Sequence, residues 1–149
     1  MVLLDQALEN SRESFASGDF IAKLSSLVRL VTDSQNALSN TDLAKYYSEG
    51  LLDILVELGI RTKIIDNPIK NAPPFLIGER IESSELKTIL LYGHGDTVPL
   101  QKGLWHDGIS PNILKIIDEK IYGRGVADNK GQHFINLMAL RSVLKTRKK

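Results

Sequence analysis

Three side chains in two glycine-rich segments have the types and spacing of a metal site. His94 and Asp96 lie in residues 93–99, directly after an apolar run, and Asp128 lies in residues 123–131. Imidazole and carboxylate groups are ligands that Zn²⁺ takes in proteins. The chain has no cysteine, which excludes a thiolate site and a disulfide framework. The two segments therefore predict a divalent metal centre with nitrogen and oxygen ligands.

The first segment places a histidine and an acid two residues apart. Side chains two apart in an extended segment point to the same side. Asp96 is thus positioned to hold one ring nitrogen of His94 while the other nitrogen binds a metal. Gly93 and Gly95 are expected to leave room for a ligand. The same residues also fit an ordinary turn after a strand, with His94 exposed and Asp96 bonded locally.

The second segment offers one carboxylate before a helix. Asp128 fits either a helix N-cap or a carboxylate whose two oxygens bridge two metal ions. Nucleotide binding is a weaker alternative, because the Gly-x-Gly of this segment is followed by Asp128 where a third glycine is needed. Residues 130–132 read Lys-Gly-Gln, which is not the Gly-Lys-Ser/Thr of a phosphate-binding loop.

Helices are predicted near the beginning and the end of the chain. Apolar residues at helical spacing cover two early segments, and a third helix is expected between a cap at Thr41 and Gly59, with Tyr47 among its inward side chains. A final helix over residues 129–145 is expected to turn Ile135, Met138 and Val143 or Leu144 inward.

Short apolar runs punctuated by proline and glycine predict a hairpin in residues 112–122 and strands at residues 62–66, 75–78 and 87–92. Residues 87–92 are apolar almost without interruption, which predicts a strand buried on both faces. Helices followed by strands and a last helix predict an α/β layer architecture. We expect residues 1–59 to be mainly helical and residues 60–149 to form a sheet plus the final helix.

The composition is that of an ordinary globular protein. The 149 residues carry 19 Lys+Arg and 18 Asp+Glu, and this net charge of +1 argues against a dedicated nucleic-acid binder. The basic end of the chain is interpreted as a solvated helix terminus. No signal peptide or membrane span is recognised in the sequence. A cytoplasmic enzyme without a membrane partner is expected.

Together, the two segments resemble the zinc metallopeptidase family of aminoacylase, acetylornithine deacetylase and succinyl-diaminopimelate desuccinylase, which also includes carboxypeptidase G and the carnosine dipeptidases. The resemblance rests on residues 92–99, Trp105, residues 122–125 and residues 128–131. Two motifs in this order are more specific than either motif alone. The resemblance implies the N-terminal part of a three-layer zinc-peptidase-like catalytic domain, an incomplete sheet flanked by helices.

The resemblance also implies a role for each of the three side chains. His94 would bind the first zinc ion, Asp96 would orient His94 as an active-site residue, and Asp128 would bridge two zinc ions, for which Co²⁺ or Mn²⁺ could substitute. The peptide bond after Asp128 would be cis. The implied reaction is metal-assisted hydrolysis of an amide bond in N-acyl amino acids or small peptides. Neither the individual substrate nor the oligomeric state follows from the sequence.

The chain departs from the family pattern in several places. Asn129 stands where an acid or a hydrophobic residue is more common, and residues 104–108 differ from the usual Trp-x-x-Asp-Pro-Phe. The Glu-Glu pair that supplies the general base and a zinc ligand has no counterpart, since residues 132–149 contain no acid. His106 and His133 are interpreted as surface residues.

These gaps predict a truncated chain over residues 1–149, without the later catalytic segments and the dimerisation domain. We expect such a chain to bind zinc weakly and to be inactive alone, because a catalytic zinc needs about three protein ligands plus water. The alternative is a non-catalytic remnant that acts as an interaction or regulatory domain.

Overall fold

The computed structural model describes residues 2–35, 39–70 and 72–148. The elements follow in the order α1 (Val2–Ala16), α2 (Asp19–Arg29), α3 (Ser39–Lys45), a π-helical segment (Tyr46–Leu51), α4 (Leu52–Glu57), β1 (Arg61–Ile65), β2 (Phe75–Glu79), a 3₁₀ turn (Lys102–Leu104), β3 (Lys115–Ile117), β4 (Lys120–Tyr122) and α5 (Lys130–Arg147). The predicted helices and hairpin and two of the three predicted strands are confirmed. The side chain of Thr41, the predicted cap, lies outside the described part. None of the described helices is long and apolar enough to cross a membrane.

The helices share one apolar core. Leu24, Leu27 and Val28 lie on one face of α2 at the i, i+3 and i+4 positions and are buried. Phe134 and Met138 of α5 belong to the same buried cluster. Each such side chain contributes roughly 1.5–3 kcal/mol when it is fully buried. This core fixes α5 against the helical layer, and the first residue of α5, Lys130, follows Asp128 by two positions.

The π-helical segment changes which tyrosine faces the core. Tyr46 has no exposed surface, and Leu51, five residues later, is also buried. A spacing of five is that of the π-helix, whose hydrogen bonds join residues i and i+5. The prediction placed Tyr47 inward at α-helical spacing. The structure leaves Tyr47 only partly buried, with its hydroxyl donating to the Pro74 carbonyl at 3.0 Å.

Two antiparallel hairpins supply all the described strand pairing. β1 pairs with β2, and β3 pairs with β4, each as a separate two-stranded sheet. The turn between β3 and β4 places Asp118 and Glu119 at φ 48° and 63°. Positive φ at both positions is what a two-residue hairpin loop of type I′ requires. The second hairpin delivers the chain to the glycine turn before Asp128.

The strand predicted at residues 87–92 is not formed among the described residues. The segment belongs to no strand, and Ile89 and Leu90 are 82% and 91% exposed. The prediction was wrong because an apolar run is buried on both faces only where strands flank it. None of the described strands pairs with this run. An exposed apolar segment therefore leads directly into the first motif.

The inward face of α5 differs in part from the prediction: Met138 and Leu144 are buried as predicted, but Ile135 is not. Phe134, Met138 and Ser142 are buried at i, i+4 and i+8, whereas Ile135 is exposed. One residue along an α-helix turns the side chain by about 100°. Because Phe134 points to the core, Ile135 points away from it, and the prediction for Ile135 was wrong.

Candidate metal site

The backbone of the first motif is held by the loop that follows α2. Thr97 N–H donates to the Thr32 carbonyl at 2.8 Å, and Ser34 N–H donates to the Thr97 carbonyl at 3.0 Å. The buried Thr32 hydroxyl donates to the Gly95 carbonyl at 2.5 Å. These bonds hold the backbone on both sides of Asp96, so the loop that follows α2 helps to position the motif.

The structure brings together the three predicted site residues. His94 Nε2 lies 3.0 Å from Asp128 Oδ1. His94 Nδ1 lies 3.0 Å from the Asp96 carbonyl oxygen and 3.2 Å from Asp96 Oδ1. The imidazole therefore stands between the two acids, with one ring nitrogen turned to each. The simple turn interpretation does not account for the approach of Asp128 from 34 residues away.

The surroundings of His94 favour its protonated form. Burial of the ring lowers the pKa, but the Asp96 carbonyl and carboxylate and the Asp128 carboxylate together outweigh burial and raise it. Two carboxylates on one imidazole also form a favourable environment for a divalent cation in place of the proton.

Asp128 follows a turn that depends on glycine. Gly125 has φ 85°, a left-handed conformation that side chains disfavour. The Asp128–Asn129 peptide is cis, as the resemblance implies. The N-cap position of α5 is Asn129, and α5 has no side-chain capping bond. Asp128 is therefore not the helix cap, and its side chain is 83% exposed and free to reach His94.

The glycines of the first motif are required by packing behind the motif. A Cβ at Gly93 would lie 2.4 Å from His133 Cβ, and a Cβ at Gly95 would lie 2.5 Å from Tyr46 Cδ1. Real Cβ contacts essentially never fall below 3.0 Å. The sequence analysis expected these glycines to leave room for a ligand. In the structure they instead leave room for the side chains of His133 and Tyr46.

His133 takes part in this packing, so its interpretation as a surface residue was wrong. Its ring is largely buried, and Nδ1 lies 3.1 Å from Asn129 Oδ1. Burial, followed by the charges of His94 and Lys130, lowers the pKa of His133 to about 4. The i, i+4 spacing of Asn129 and His133 was the available signal, because it places both side chains on one helix face. His106 is exposed, as predicted.

Lys130 is a buried residue behind the site, and the sequence did not reveal its burial. It is 1% exposed, and its ammonium group donates to the carbonyls of Leu27 and Leu30 at 3.0 and 2.5 Å. The ammonium also lies 5.0 Å from the centre of the Tyr46 ring. Burial lowers the pKa of Lys130 to about 8. This side chain ties the second motif to the C-terminal end of α2.

A cavity of about 240 Å³ opens beside the three site residues. His94, Asp96, Asp128 and Arg124 all line it. The Arg124 guanidinium lies 5.3 Å from the ring centre of Trp105, and its buried Nε has no hydrogen-bond partner among the residues that the structure describes. A larger cavity of about 620 Å³ lies between the helices and touches none of the predicted site residues.

The donor set fits part of a metal site. Two ligand atoms about 2.1 Å from one tetrahedral ion lie about 3.4 Å apart, which is 0.4 Å more than the 3.0 Å between His94 Nε2 and Asp128 Oδ1. Among the residues that the structure describes, no group of three or more His, Cys, Asp or Glu side chains is placed to hold an ion. The described residues thus bring two carboxylates against one imidazole, which is part of such a donor set.

The part of the chain that carries both motifs matches a known protein family. Residues 90–149 match the family model described as peptidase family M20/M25/M40. The chain is a relative of the M20 peptidases. The resemblance predicted from the two motifs is thereby confirmed.

Several M20 relatives are peptidases or deacetylases. Cys-Gly metallodipeptidase DUG1 of Saccharomyces cerevisiae is 33% identical over 125 residues, which cover 75% of this chain and 25% of the relative. Beta-Ala-His dipeptidase of Mus musculus is 44% identical over 61 residues, 40% of this chain and 12% of the relative. Acetylornithine deacetylase of Photorhabdus laumondii is 46% identical over 55 residues, which cover 37% of this chain and 14% of the relative. The matches thus span a quarter or less of each of these relatives.

Solved M20 dipeptidases share the fold of the chain. Human carnosine dipeptidase 1 superposes with a TM-score of 0.83 at 25% identity, over 98% of this chain and 32% of that one. The dipeptidase Dug1p of Saccharomyces cerevisiae superposes with a TM-score of 0.78 at 22% identity, over 97% of this chain and 32% of that one. The mixed helix and strand architecture is therefore that of the M20 dipeptidases, over about a third of their length.

Proposed function

We propose that the chain forms part of the metal site of a hydrolase that cleaves amide bonds in N-acyl amino acids or small peptides. His94 and Asp128 are the metal ligands, and Asp96 holds His94 in the binding orientation. The observation that carries the proposal is the imidazole of His94 standing between the two acids, with Nε2 3.0 Å from Asp128 Oδ1. The dipeptidase and deacetylase names of the relatives support this substrate class.

The roles of the three residues follow from their contacts. Asp96 accepts the proton on His94 Nδ1, so that Nε2 presents its lone pair to a cation, as orienting acids do for metal-binding histidines. Asp128 offers two exposed oxygens, enough to bind two ions at once. Zinc, the metal we propose, would polarise the substrate carbonyl and acidify a bound water. The residues lining the cavity include no glutamate to act as general base.

We further propose that residues 1–149 are the N-terminal part of the catalytic domain and have no useful turnover alone. Two ligands are fewer than the three protein ligands usual at a catalytic zinc. The second candidate function is a non-catalytic remnant that binds a protein partner. The exposed apolar residues 89–92 beside the site favour this candidate, because large exposed apolar patches mark contact surfaces.

Calorimetric titration with Zn²⁺ tests the ligand assignment. We expect His94→Ala and Asp128→Asn to weaken zinc binding by at least tenfold and Asp96→Asn to weaken it by about 10–100-fold. His106→Ala is the matched control, because His106 is exposed and does not line the cavity. Equal zinc affinity in His94→Ala and His106→Ala would contradict the proposal.

An activity assay on N-acetylornithine and β-alanyl-histidine separates the two candidates. Zinc binding through His94 without turnover is the expected result for the chain alone. Zinc-dependent hydrolysis that disappears in His94→Ala would overturn the proposed inactivity. Absence of zinc binding, together with a stable complex with another protein, would favour the remnant.

A further inference from the structure

A directed chain of hydrogen bonds runs from the core to the first motif. The Tyr46 hydroxyl lies 2.5 Å from His133 Nε2. His133 Nδ1 lies 3.1 Å from Asn129 Oδ1, an oxygen that also accepts the His94 backbone N–H at 3.0 Å. Asn129 is fixed in this orientation, because its Nδ2 donates to Gln132 Oε1 at 2.6 Å.

When the His133 ring is neutral, only one arrangement of protons satisfies every member of this series of hydrogen bonds. Asn129 Oδ1 accepts only, so His133 Nδ1 must carry a proton and donate it. The neutral ring then has an unprotonated Nε2, which accepts from the Tyr46 hydroxyl. Tyr46 has no exposed surface, so water does not compete for its hydroxyl. The Tyr46 and His133 rings meet edge-on with their centres 5.8 Å apart, which restricts both orientations further.

This series of hydrogen bonds ends at Asn129, the neighbour of Asp128, and at the backbone of His94. Asn129 directly follows Asp128, and the N–H that its side chain binds belongs to His94. The His133 side chain also packs so closely on Gly93 that no Cβ fits between them. One oxygen, Asn129 Oδ1, thus joins the two ligand-bearing segments directly, and the His133 ring orients it.

We propose that Tyr46 and His133 are positioning residues, which hold the His94 and Asp128 segments at the separation needed to bind one metal ion. The inference rests on the proposed function of these two ligands. Tyr46 fixes the His133 tautomer, His133 fixes the Asn129 amide, and Asn129 holds the His94 backbone. Neither Tyr46 nor His133 lines the cavity.

Two neighbouring tyrosines provide a matched test. Tyr46→Phe removes the hydroxyl that bonds to His133 Nε2 and keeps the buried ring. Tyr47→Phe removes a hydroxyl one residue later that donates to the Pro74 carbonyl. We expect Zn²⁺ affinity to fall about tenfold in Tyr46→Phe, the lower end of the effect of outer partners at metal sites, and to change less than twofold in Tyr47→Phe. His133→Phe, which keeps a ring beside Tyr46, should lose at least as much affinity as Tyr46→Phe.

Spectroscopy separates positioning from a general loss of stability. With Co²⁺ as the probe, Tyr46→Phe should shift the visible absorption bands, because the ligand geometry changes, while Tyr47→Phe should keep the wild-type spectrum. Unchanged zinc affinity and an unchanged cobalt spectrum in Tyr46→Phe would overturn the proposal.

Measurements on the metal-free chain keep the inference separate from the proposed function. Imidazole ¹⁵N NMR should show His133 protonated at Nδ1 and not at Nε2, and the His94 amide should exchange at least fivefold faster in Tyr46→Phe than in Tyr47→Phe. If the wild-type chain binds no zinc, the proposed function fails, and the proposed role in metal binding fails with it. These two signals would then show only whether the chain of hydrogen bonds exists. Protonation of His133 at Nε2 would overturn the inference even if zinc binds.

Discussion

Replacing Gly95 with alanine probes the packing behind the first motif most directly. The new Cβ would lie 2.5 and 2.6 Å from Cδ1 and Cε1 of Tyr46 and 3.2 Å from Leu43 Cδ1. Ordinary contact begins at 3.4 Å, so the ring or the motif must move by about 1 Å in a close-packed interior. The Tyr46 ring is fully buried and has no open side to move into.

The expected cost follows from two opposing effects. Overpacking of this kind costs about 1–3 kcal/mol. Alanine recovers about 0.4–1 kcal/mol, because it restricts the unfolded chain more than glycine does. We expect a net loss of about 1–2 kcal/mol in the free energy of unfolding, which lowers the melting temperature by about 3–8 °C for a chain of this size.

Urea denaturation followed by circular dichroism measures this loss. Gly103→Ala is the control, because a Cβ at Gly103 meets no atom within 4 Å. If Gly95→Ala and Gly103→Ala have the same denaturation midpoint, the reasoning from close packing is refuted. A lower zinc affinity in Gly95→Ala than in Gly103→Ala is the second expected result, since movement at Gly95 displaces both neighbours that belong to the site.

Three further perturbations test other parts of the structure. The folded-state pKa of His133 is lowered to about 4, so the contribution of neutral His133 to stability is present above pH 6.5 and is lost as the pH falls towards 4. By pH 4.5 the free energy of unfolding of the wild type should fall by about 2–3 kcal/mol more than that of His133→Phe. Parallel pH profiles of the two proteins in urea denaturation would contradict this. Lys130→Ala should cost about 2–5 kcal/mol, because it leaves a cavity and two carbonyls without their donor, and Lys130→Met should cost less; an unchanged urea midpoint in the alanine variant would exclude the buried contact. Leu90→Lys should change stability by less than about 0.5 kcal/mol and reduce self-association in analytical ultracentrifugation, whereas a loss above 1 kcal/mol would mean that Leu90 is buried.

Much of the local structure was predictable because its causes are local. The spacing of Leu24, Leu27 and Val28 marks one face of a helix. The pair Asp118 and Glu119 sits at the turn of a hairpin that the alternation of strands and punctuation predicts. The nearness of His94 to Asp128, across 34 residues, was predictable only through the family resemblance, because no local pattern brings two distant loops together.

The errors have a common physical origin. The run at residues 87–92 has the composition of a buried strand, but burial depends on flanking strands, and none of the described strands pairs with it. Tyr47 was placed inward by α-helical spacing, and a π-helical segment turned Tyr46 inward instead. His133 was placed on the surface because polar side chains usually are.

The sequence by itself determined the chemistry available to this protein: nitrogen and oxygen ligands, no thiolates, and two glycine-rich segments to present them. It also determined most of the helices, the hairpin around Asp118 and Glu119, and the strands at residues 62–66 and 75–78, since these depend on periodicity and turn residues. Only the tertiary structure decided that Tyr46, His133 and Lys130 lie behind the site, and that the motif glycines serve packing rather than ligand access. The reason is that burial and hydrogen-bond partners come from elements far apart in the chain, and their meeting is decided by the packing of the whole fold.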